Sequence, residues 1–295
     1  MTNKIKINLR ISEIPSIIGY NPYANIKPIV LRIWEKALPE DYKDFTTKLL
    51  QNKIIDNTHV KDEDIIAHHS QKYNIDMDAQ LKSCRTAETT QELKKKAENM
   101  LNSIENNKQI TSEDKKTIQK SLHQLSKTNY GQHHEDSIIT LYSQIHNIKV
   151  GQQQKFVRKK IAFCDKFEWY INGKVDGIRD DDILVEVKNR VNKLFLHLKP
   201  YENIQVQIYL NLLKLKIGHL VECHKHEAET EMNVIEVKYN KKIWKDIKYK
   251  LEVFINFFNA FISSDDMKLI FLTGNDSGIN KYYQNWMISN MVPIS

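Results

Sequence analysis

Apolar residues change their spacing twice along this chain of 295 residues, and that change limits the folds open to it. Near the N-terminus, Ile29, Ile33 and Trp34 recur at helical spacing and predict a helix of about two or three turns. Ahead of it, Ser12 to Ile18 reads as a short helix with Ser12 as its N-cap. Gly19-Tyr20-Asn21-Pro22-Tyr23 reads as a turn, because Asn-Pro disfavours continued helix. Residues 38 to 127 are polar, carry almost no glycine and look helical throughout. Thr89 with Glu92 and Thr111 with Asp114 mark two helix starts, and Ile118, Leu122 and Leu125 stripe the second helix. The run Lys94-Lys95-Lys96 fits a solvated helix face. From 128 onward the pattern alternates. A helix over 132–146 precedes strands at 155–164, 168–172 and 183–188. A helix from about 204 to 215, strands at 218–226 and 233–239, and a long amphipathic helix through Ile243, Ile247, Leu251, Phe254 and Phe258 follow. This order predicts an α/β protein of the α+β type, with a mixed central sheet flanked by helices and a helical insertion. The expected division is 1–37 and 128–295 as one core with C-terminal helices, and 38–127 as the insertion.

Composition removes several function classes. Hydrophobic residues are 41% and charged residues 27%, which is globular, and no apolar run approaches the ~20 residues of a membrane helix. The opening MTNKIKINLRISEI lacks the apolar centre of a signal peptide, so an intracellular, reducing compartment is expected. Cys84, Cys164 and Cys223 lie far apart without a CxxC pair, which disfavours a disulfide framework or a four-cysteine metal site. The net charge is +7 with a pI of about 9.0, a modest pointer toward nucleic acid.

The densest chemical signal is Lys174-Val175-Asp176-Gly177-Ile178 followed by Ile183-Leu184-Val185-Glu186-Val187-Lys188. Asp176 precedes a glycine at a strand end or turn, and Asp180, Asp181 and Asp182 form a polar hairpin tip. Residues two apart on a strand share a face. Glu186 and Lys188 therefore stand side by side, Val185 and Val187 point to the opposite face, and the hairpin returns Glu186 toward Asp176. Two carboxylates and an ammonium in this arrangement suit metal-dependent phosphodiester hydrolysis, with hard oxygen ligands for Mg²⁺ and a lysine for the attacking water or the developing charge. Two further features belong with them. Gln205 and Gln207 sit among apolar residues at a helix start, with Gln205 able to project toward Glu186. Glu135 falls on the first turns of a helix opened by Tyr130-Gly131-Gln132-His133-His134.

In order and rough spacing, Gly131 to Glu135, Val175-Asp176-Gly177, Glu186-Val187-Lys188 and Gln205-Val206-Gln207 resemble the PD-(D/E)XK nucleases, and within them the lambda-exonuclease or YqaJ-type viral recombinase family. Arg10 to Tyr23 is similar to that family's opening segment, where a helix of small residues leads into a G-x-N-P-Y turn. Val175 stands where the superfamily's name has proline, and the tryptophan and arginine often found upstream are missing. The resemblance covers about 1–36 and 128–262. It implies a restriction-endonuclease-like core and a Mg²⁺-dependent deoxyribonuclease, with Mn²⁺ as a substitute cation, that degrades one strand of duplex DNA from a free 5′ end in viral or phage-type recombination, repair or replication. Asp176, Glu186 and the main-chain carbonyl of Val187 would hold the metal, Lys188 would serve the water, Glu135 would complete the acidic site and Gln205 would orient Lys188 or the substrate. Ser12 matches a position that contacts the 5′-phosphate, with Arg10 beside it. Relatives act as homotrimers with a single-strand annealing protein, and no membrane is involved.

Two other readings stand beside this one: a structure-specific endonuclease of the same fold, and a nuclease-like DNA-binding protein without turnover. Elsewhere, Cys223-His224-Lys225-His226-Glu227 looks metal-like, but strand alternation separates Cys223 from His224. His133 and His134 read as a solvated helix start. Phe254, Phe257, Phe258 and Phe261 read as core, with a partner groove as the alternative.

Overall fold

In the computed structural model, which describes residues 4–55, 62–164, 167–226 and 229–291, the chain begins with strand β1 (Ile5–Arg10) and a 3-10 turn (Ile11–Glu13). Helices α1 (Ile14–Ile17), α2 (Lys27–Ala37) and α3 (Pro39–Gln51) follow. Between α1 and α2, Gly19 adopts φ +78°, the left-handed conformation in which a glycine costs least, and Tyr20 N–H closes back on the Pro15 carbonyl at 2.7 Å. The residues read as the N-cap behave differently. Ser12 lies inside the 3-10 turn and caps nothing. The Glu13 carboxylate instead accepts the Arg10 N–H at 3.3 Å.

Four helices come next: α4 (Asp62–Tyr73), α5 (Met77–Arg85), α6 (Thr90–Glu105) and α7 (Ser112–His133). The two start signals act locally as their spacing predicts, with Thr89 accepting from Glu92 N–H and Thr111 from Asp114 N–H, both at 3.2 Å. The four helices enclose a core of their own, in which Ile66, Leu81, Met100, Ile118, Leu122 and Tyr130 are buried. Lys94 and Lys95 are exposed, and Lys96 pairs with Glu92 at 2.6 Å. The segment expected as one helix over 132–146 is divided. The end of α7 covers His133, and α8 (Glu135–His146) starts after a break at His134. The physical reason is the long reach of α7, whose Tyr130 is held in the helical core while Ile138, Ile139 and Tyr142 of α8 face a different cluster.

Eight strands among the described residues form two hydrogen-bonded sheets. β2 (Val150–Gly151), β3 (Phe156–Cys164), β4 (Phe167–Lys174), β5 (Gly177–Arg179) and β6 (Ile183–Asn189) lead to α9 (Pro200–Leu213), then to β7 (Ile217–His226) and β8 (Glu229–Lys238). One sheet has the order β1-β4-β3 and the other β2-β5-β6-β7-β8. β1 runs parallel to β4, and β6 runs parallel to β7. A parallel pair needs a crossover, and α9 supplies it between β6 and β7. The mixed α+β class read from the pattern is therefore the architecture observed, with the sheet divided in two where the chain passes from Lys174 to Gly177.

α10 (Lys241–Ile262), α11 (Asp265–Thr273) and α12 (Asp276–Asn290) close the fold. Phe254, Phe257, Phe258 and Phe261 of α10 are fully buried against Trp34, Phe167, Trp169 and Phe271, so the aromatic stripe is core. Truncating any one of them to Ala should cost about 3–5 kcal/mol. No described helix is long and apolar enough to cross a membrane.

Candidate active site

The two sheets meet at Val175-Asp176, and the geometry there follows from packing. Val175 is fully buried and its N–H reaches the Lys155 carbonyl at 3.1 Å. A Cβ on Gly177 would stand 2.4 Å from the Val150 side chain, so the residue after Asp176 has to be glycine if β2 is to pair with β5. The β5–β6 register sets Gly177 opposite Val185. Asp176 lies one residue beyond that pair and faces the next residues of β6, where its carboxylate accepts the Val187 N–H at 2.7 Å. The N–H and C=O of a strand residue face the same edge. The Val187 carbonyl is thus turned toward the edge at which Asp176 sits.

β6 alternates as its sequence predicts. Val185 and Val187 pack with Ile138, Ile139 and Tyr142 on one face, and Leu184 joins the main core on the other. Glu186 and Lys188 share that second face, where Lys188 Nζ donates to Glu186 Oε1 at 2.7 Å. Gln205, on α9, donates to the same Oε1 at 2.7 Å and accepts from Lys188 Nζ at 3.3 Å. Glu186 is 3% exposed, and its other oxygen, Oε2, is buried without a hydrogen-bond partner.

An unsatisfied buried carboxylate oxygen is costly. Here it lies near a second buried carboxylate. Burial, and then the charge of Glu186, push the Asp176 carboxyl well above its ordinary range, against the opposing pull of Lys188 and the Val187 N–H. Burial likewise raises Glu135, with Glu186 as the next cause. Burial lowers the pKa of Lys188, but the charges of Glu186 and Asp176 outweigh it and raise the pKa overall. The carboxyls of Asp176 and Glu135 therefore hold their protons more tightly than isolated acids, and a further positive charge beside Lys188 would favour their ionised forms. Hard oxygens of Asp176 and Glu186, with the Val187 carbonyl on the adjacent edge, are the donor set a small divalent cation takes. Among the described residues no three His, Cys, Asp or Glu side chains converge as a ready metal cluster.

These residues line one cleft of about 740 Å³, together with Glu135, Arg10 and Ser12. Glu135 sits on the first turn of α8 and accepts from Gln154 at 3.4 Å. Arg10 ends β1, and Ser12 follows it in the 3-10 turn, both exposed at the cleft. All eight positions singled out in the sequence thus border one space. Tyr209, Gln154 and Phe156 are among the residues of the cleft that escaped that reading. Tyr209 donates to the Lys174 carbonyl at 2.7 Å and lies one helical turn after Gln205, a spacing that could have revealed it. Gln154 and Phe156 come from the Gln152–Gln154 turn and the start of β3, and no local signal marks them.

Neighbouring candidates have structural tasks. Gln207 points away from the cleft, donating to the Lys238 carbonyl at 2.8 Å and accepting from Asn240 N–H at 2.7 Å. Cys223 and His224 occupy opposite faces of β7. Cys223 packs beside Val187, where burial pushes its thiol up to about 11, and His224 Nδ1 meets the Arg190 carbonyl at 3.0 Å. Glu227 lies outside the described residues. His134 bonds the Ala87 carbonyl at 2.9 Å, so it ties α8 to the helical region rather than standing free in solvent.

No family model and no curated protein matches the chain. Solved structures similar to it include an alkaline exonuclease from Laribacter hongkongensis, at 11% identity and TM-score 0.37, covering 62% of this chain and 88% of that one. A phage-related exonuclease from Haemophilus somnus 129PT aligns at 12% identity and TM-score 0.37 over 46% of this chain and 72% of that one. SSO0001 aligns at 19% identity and TM-score 0.36 over 46% of this chain, which spans 64% of SSO0001.

Proposed function

We propose that this chain is a divalent-cation-dependent nuclease and, more specifically, a Mg²⁺-dependent deoxyribonuclease that degrades duplex DNA from a 5′ end. The observation that carries the proposal is the buried, unpartnered Glu186 Oε2 beside Asp176, with Lys188 on the opposite oxygen of the same carboxylate. A cleft floored by carboxylates repels a phosphodiester, so a binding protein without turnover has no use for it. Asp176, Glu186 and the Val187 carbonyl would hold the cation. When bound, it neutralises charge on the phosphate and lowers the pKa of water. Lys188, held protonated, serves as a donor to the attacking water or to the phosphate oxygens rather than as a base. Gln205 fixes both Glu186 and Lys188, and Glu135 adds a third acidic group to the cleft. Arg10 and Ser12 line the cleft and would meet a terminal phosphate.

The test is digestion of linear and closed-circular duplex DNA in Mg²⁺ or chelator, with ends phosphorylated or not. Mg²⁺-dependent loss of linear DNA with intact circles supports the exonuclease. Cut circles favour the endonuclease of the same fold. No cleavage of any substrate by the native protein, with Mg²⁺ or Mn²⁺, overturns the proposal.

A further inference from the structure

A second concavity of about 370 Å³ opens next to the catalytic cleft, and the two share Arg10, Phe156 and Asn172. Its cations are Lys6, Arg10, Arg32, Lys36 and Arg158, and no acidic residue lines it. The arrangement follows from strand register. Arg10 pairs with Asn172, and Asn172 pairs with Arg158, so one row crosses all three strands of the β1-β4-β3 sheet. Alternation puts Lys6 and Asn8 on the same face as Arg10, and Phe156 on the same face as Arg158. α2 supplies Arg32 and Lys36 as the side wall.

Three details distinguish this concavity from a merely solvated basic surface. Arg32 is 9% exposed, and its guanidinium is only partly satisfied. Glu13 takes one nitrogen at 2.6 Å, while Nε is buried without a partner. Arg158 has its guanidinium carbon 3.8 Å from the Tyr170 ring centroid, a cation–π contact that favours this position. Phe156 is 56% exposed at the border between the two concavities, although it begins a strand whose next residue, Val157, is buried. A cationic groove with an exposed ring at its entrance is what non-specific single-strand binding uses, with phosphates on the cations and a base on the ring.

We propose that one strand of nucleic acid runs from the catalytic cleft across Phe156 into this basic concavity, which takes a strand that continues past Arg10 in place of one that ends there with its phosphate. A base stacks on Phe156, and backbone phosphates meet Lys6, Lys36, Arg32 and Arg158. The assignment rests on the nuclease reading for the direction of the path, but it is tested by binding alone. The protein therefore holds the strand beyond the bond it cuts, at a distance from the metal-binding carboxylates.

The experiment measures fluorescence anisotropy of labelled oligothymidylate, and separately of a labelled duplex, with native protein in chelator so that nothing is cut. Lys36 and Arg158 are exposed, so Lys36→Ala/Arg158→Ala and the reversal Lys36→Glu/Arg158→Glu should fold normally, with unchanged circular dichroism as the control. The reversal should weaken single-strand binding about tenfold or more. The alanine pair should flatten the slope of log affinity against log salt by about 1.4, from ~0.7 per phosphate contact on single strands. Phe156→Ala should weaken single-strand binding about fivefold or more and leave duplex binding less affected. Unchanged single-strand affinity in the reversal variant overturns the path. Loss of duplex binding with no effect of Phe156→Ala overturns the single-strand assignment and leaves a duplex backbone contact. Because cleavage is assayed separately, binding losses without any native cleavage would retain the track and reject the nuclease. Native cleavage with unaffected binding would do the reverse.

Discussion

Lys188 Nζ and Glu186 Oε1 lie 2.7 Å apart on one face of β6, and the second oxygen of that glutamate faces no donor. Lys188 and Gln205 both bond Oε1, and Oε2 stays buried with no donor while the charge of Glu186 acts on the neighbouring Asp176. The functional reading depends on this asymmetry, because a simple surface ion pair would leave both oxygens to water.

The first prediction follows from crowding of the carboxylates. Asp176 has its pKa raised above the usual 3.8 by burial and by Glu186. A raised acid binds its proton more tightly in the folded state. The associated stability is full below the unfolded value and is lost as pH rises through the folded one. In chelator the native protein should therefore lose stability as pH climbs above ~4. Asp176→Asn should lack this component and melt higher at neutral pH, by on the order of 1 kcal/mol or about 2–4 °C. Added Mg²⁺ should raise Tm of the native protein and not of the variant. A variant that melts lower than native in chelator would contradict the account.

Lys188→Ala should reduce DNA hydrolysis by about 100-fold or more, the usual scale for losing one donor aimed at developing charge. Duplex affinity should change little, because one lysine is a small part of a chain with net charge +7. Near-native cleavage by this variant would show that the lysine has only a packing role.

Recognition of a terminal phosphate can be separated from fold maintenance at Arg10 and Ser12. Ser12 caps no helix, so Ser12→Ala should leave Tm within about 0.5 kcal/mol of native stability. If the cleft rim reads a 5′-phosphate, Ser12→Ala and Arg10→Ala should abolish faster digestion of phosphorylated ends and spare hydroxyl ends. Equal losses on both kinds of end would remove the recognition role.

Close behind the site, Arg190 holds two buried carboxylates, with its nitrogens at 2.7 and 3.0 Å from Glu202 and at 2.8 Å from Glu222. Arg190→Met should destabilise by about 3–5 kcal/mol, since Glu202 loses its charge partner and Glu222 keeps only the neutral donors Asn233 and the Phe195 and Leu196 N–H groups. Burial raises Glu222, but Asn233 and Arg190 outweigh it and hold its pKa below 4.5. A lowered acid contributes stability above its unfolded value that disappears as pH falls through the folded one. The cost of Arg190→Met should accordingly shrink on acidification, which denaturant titrations at neutral and acid pH would measure.

Gly173 gives a local test of how the cleft is held open. An added Cβ would stand 2.7 Å from the Tyr209 hydroxyl and 3.0 Å from Ile11. Gly173→Ala should displace Tyr209 from the Lys174 carbonyl and cost about 1–3 kcal/mol. A melting curve unchanged from native would mean that the tyrosine moves freely.

Short-range rules were enough for much of this protein. Strand alternation alone set Glu186 beside Lys188 and turned Val185 and Val187 to the other face, because successive side chains on a strand must point to opposite sides. Helical periodicity likewise foretold the phenylalanines of α10, and side-chain reach foretold the caps at Thr89 and Thr111. Three features differ from what the sequence foretold, the first through a local bond and the other two through groups far apart in sequence. Ser12 looked like a cap until the Glu13 carboxylate took the Arg10 N–H. The helix expected over 132–146 broke at His134 because its two halves pack into different cores. Ile5-Lys6-Ile7-Asn8-Leu9-Arg10 of β1 alternates strictly and was legible as a strand, whereas β2 and β5 carry too few residues to show a period and form only because β5 and β6 offer them edges to pair with. The orphaned oxygen of Glu186 and the basic row Arg10–Asn172–Arg158 belong to the same class. Residue types name which groups can meet, but pairing across strands and burial decide which of them are left without a partner.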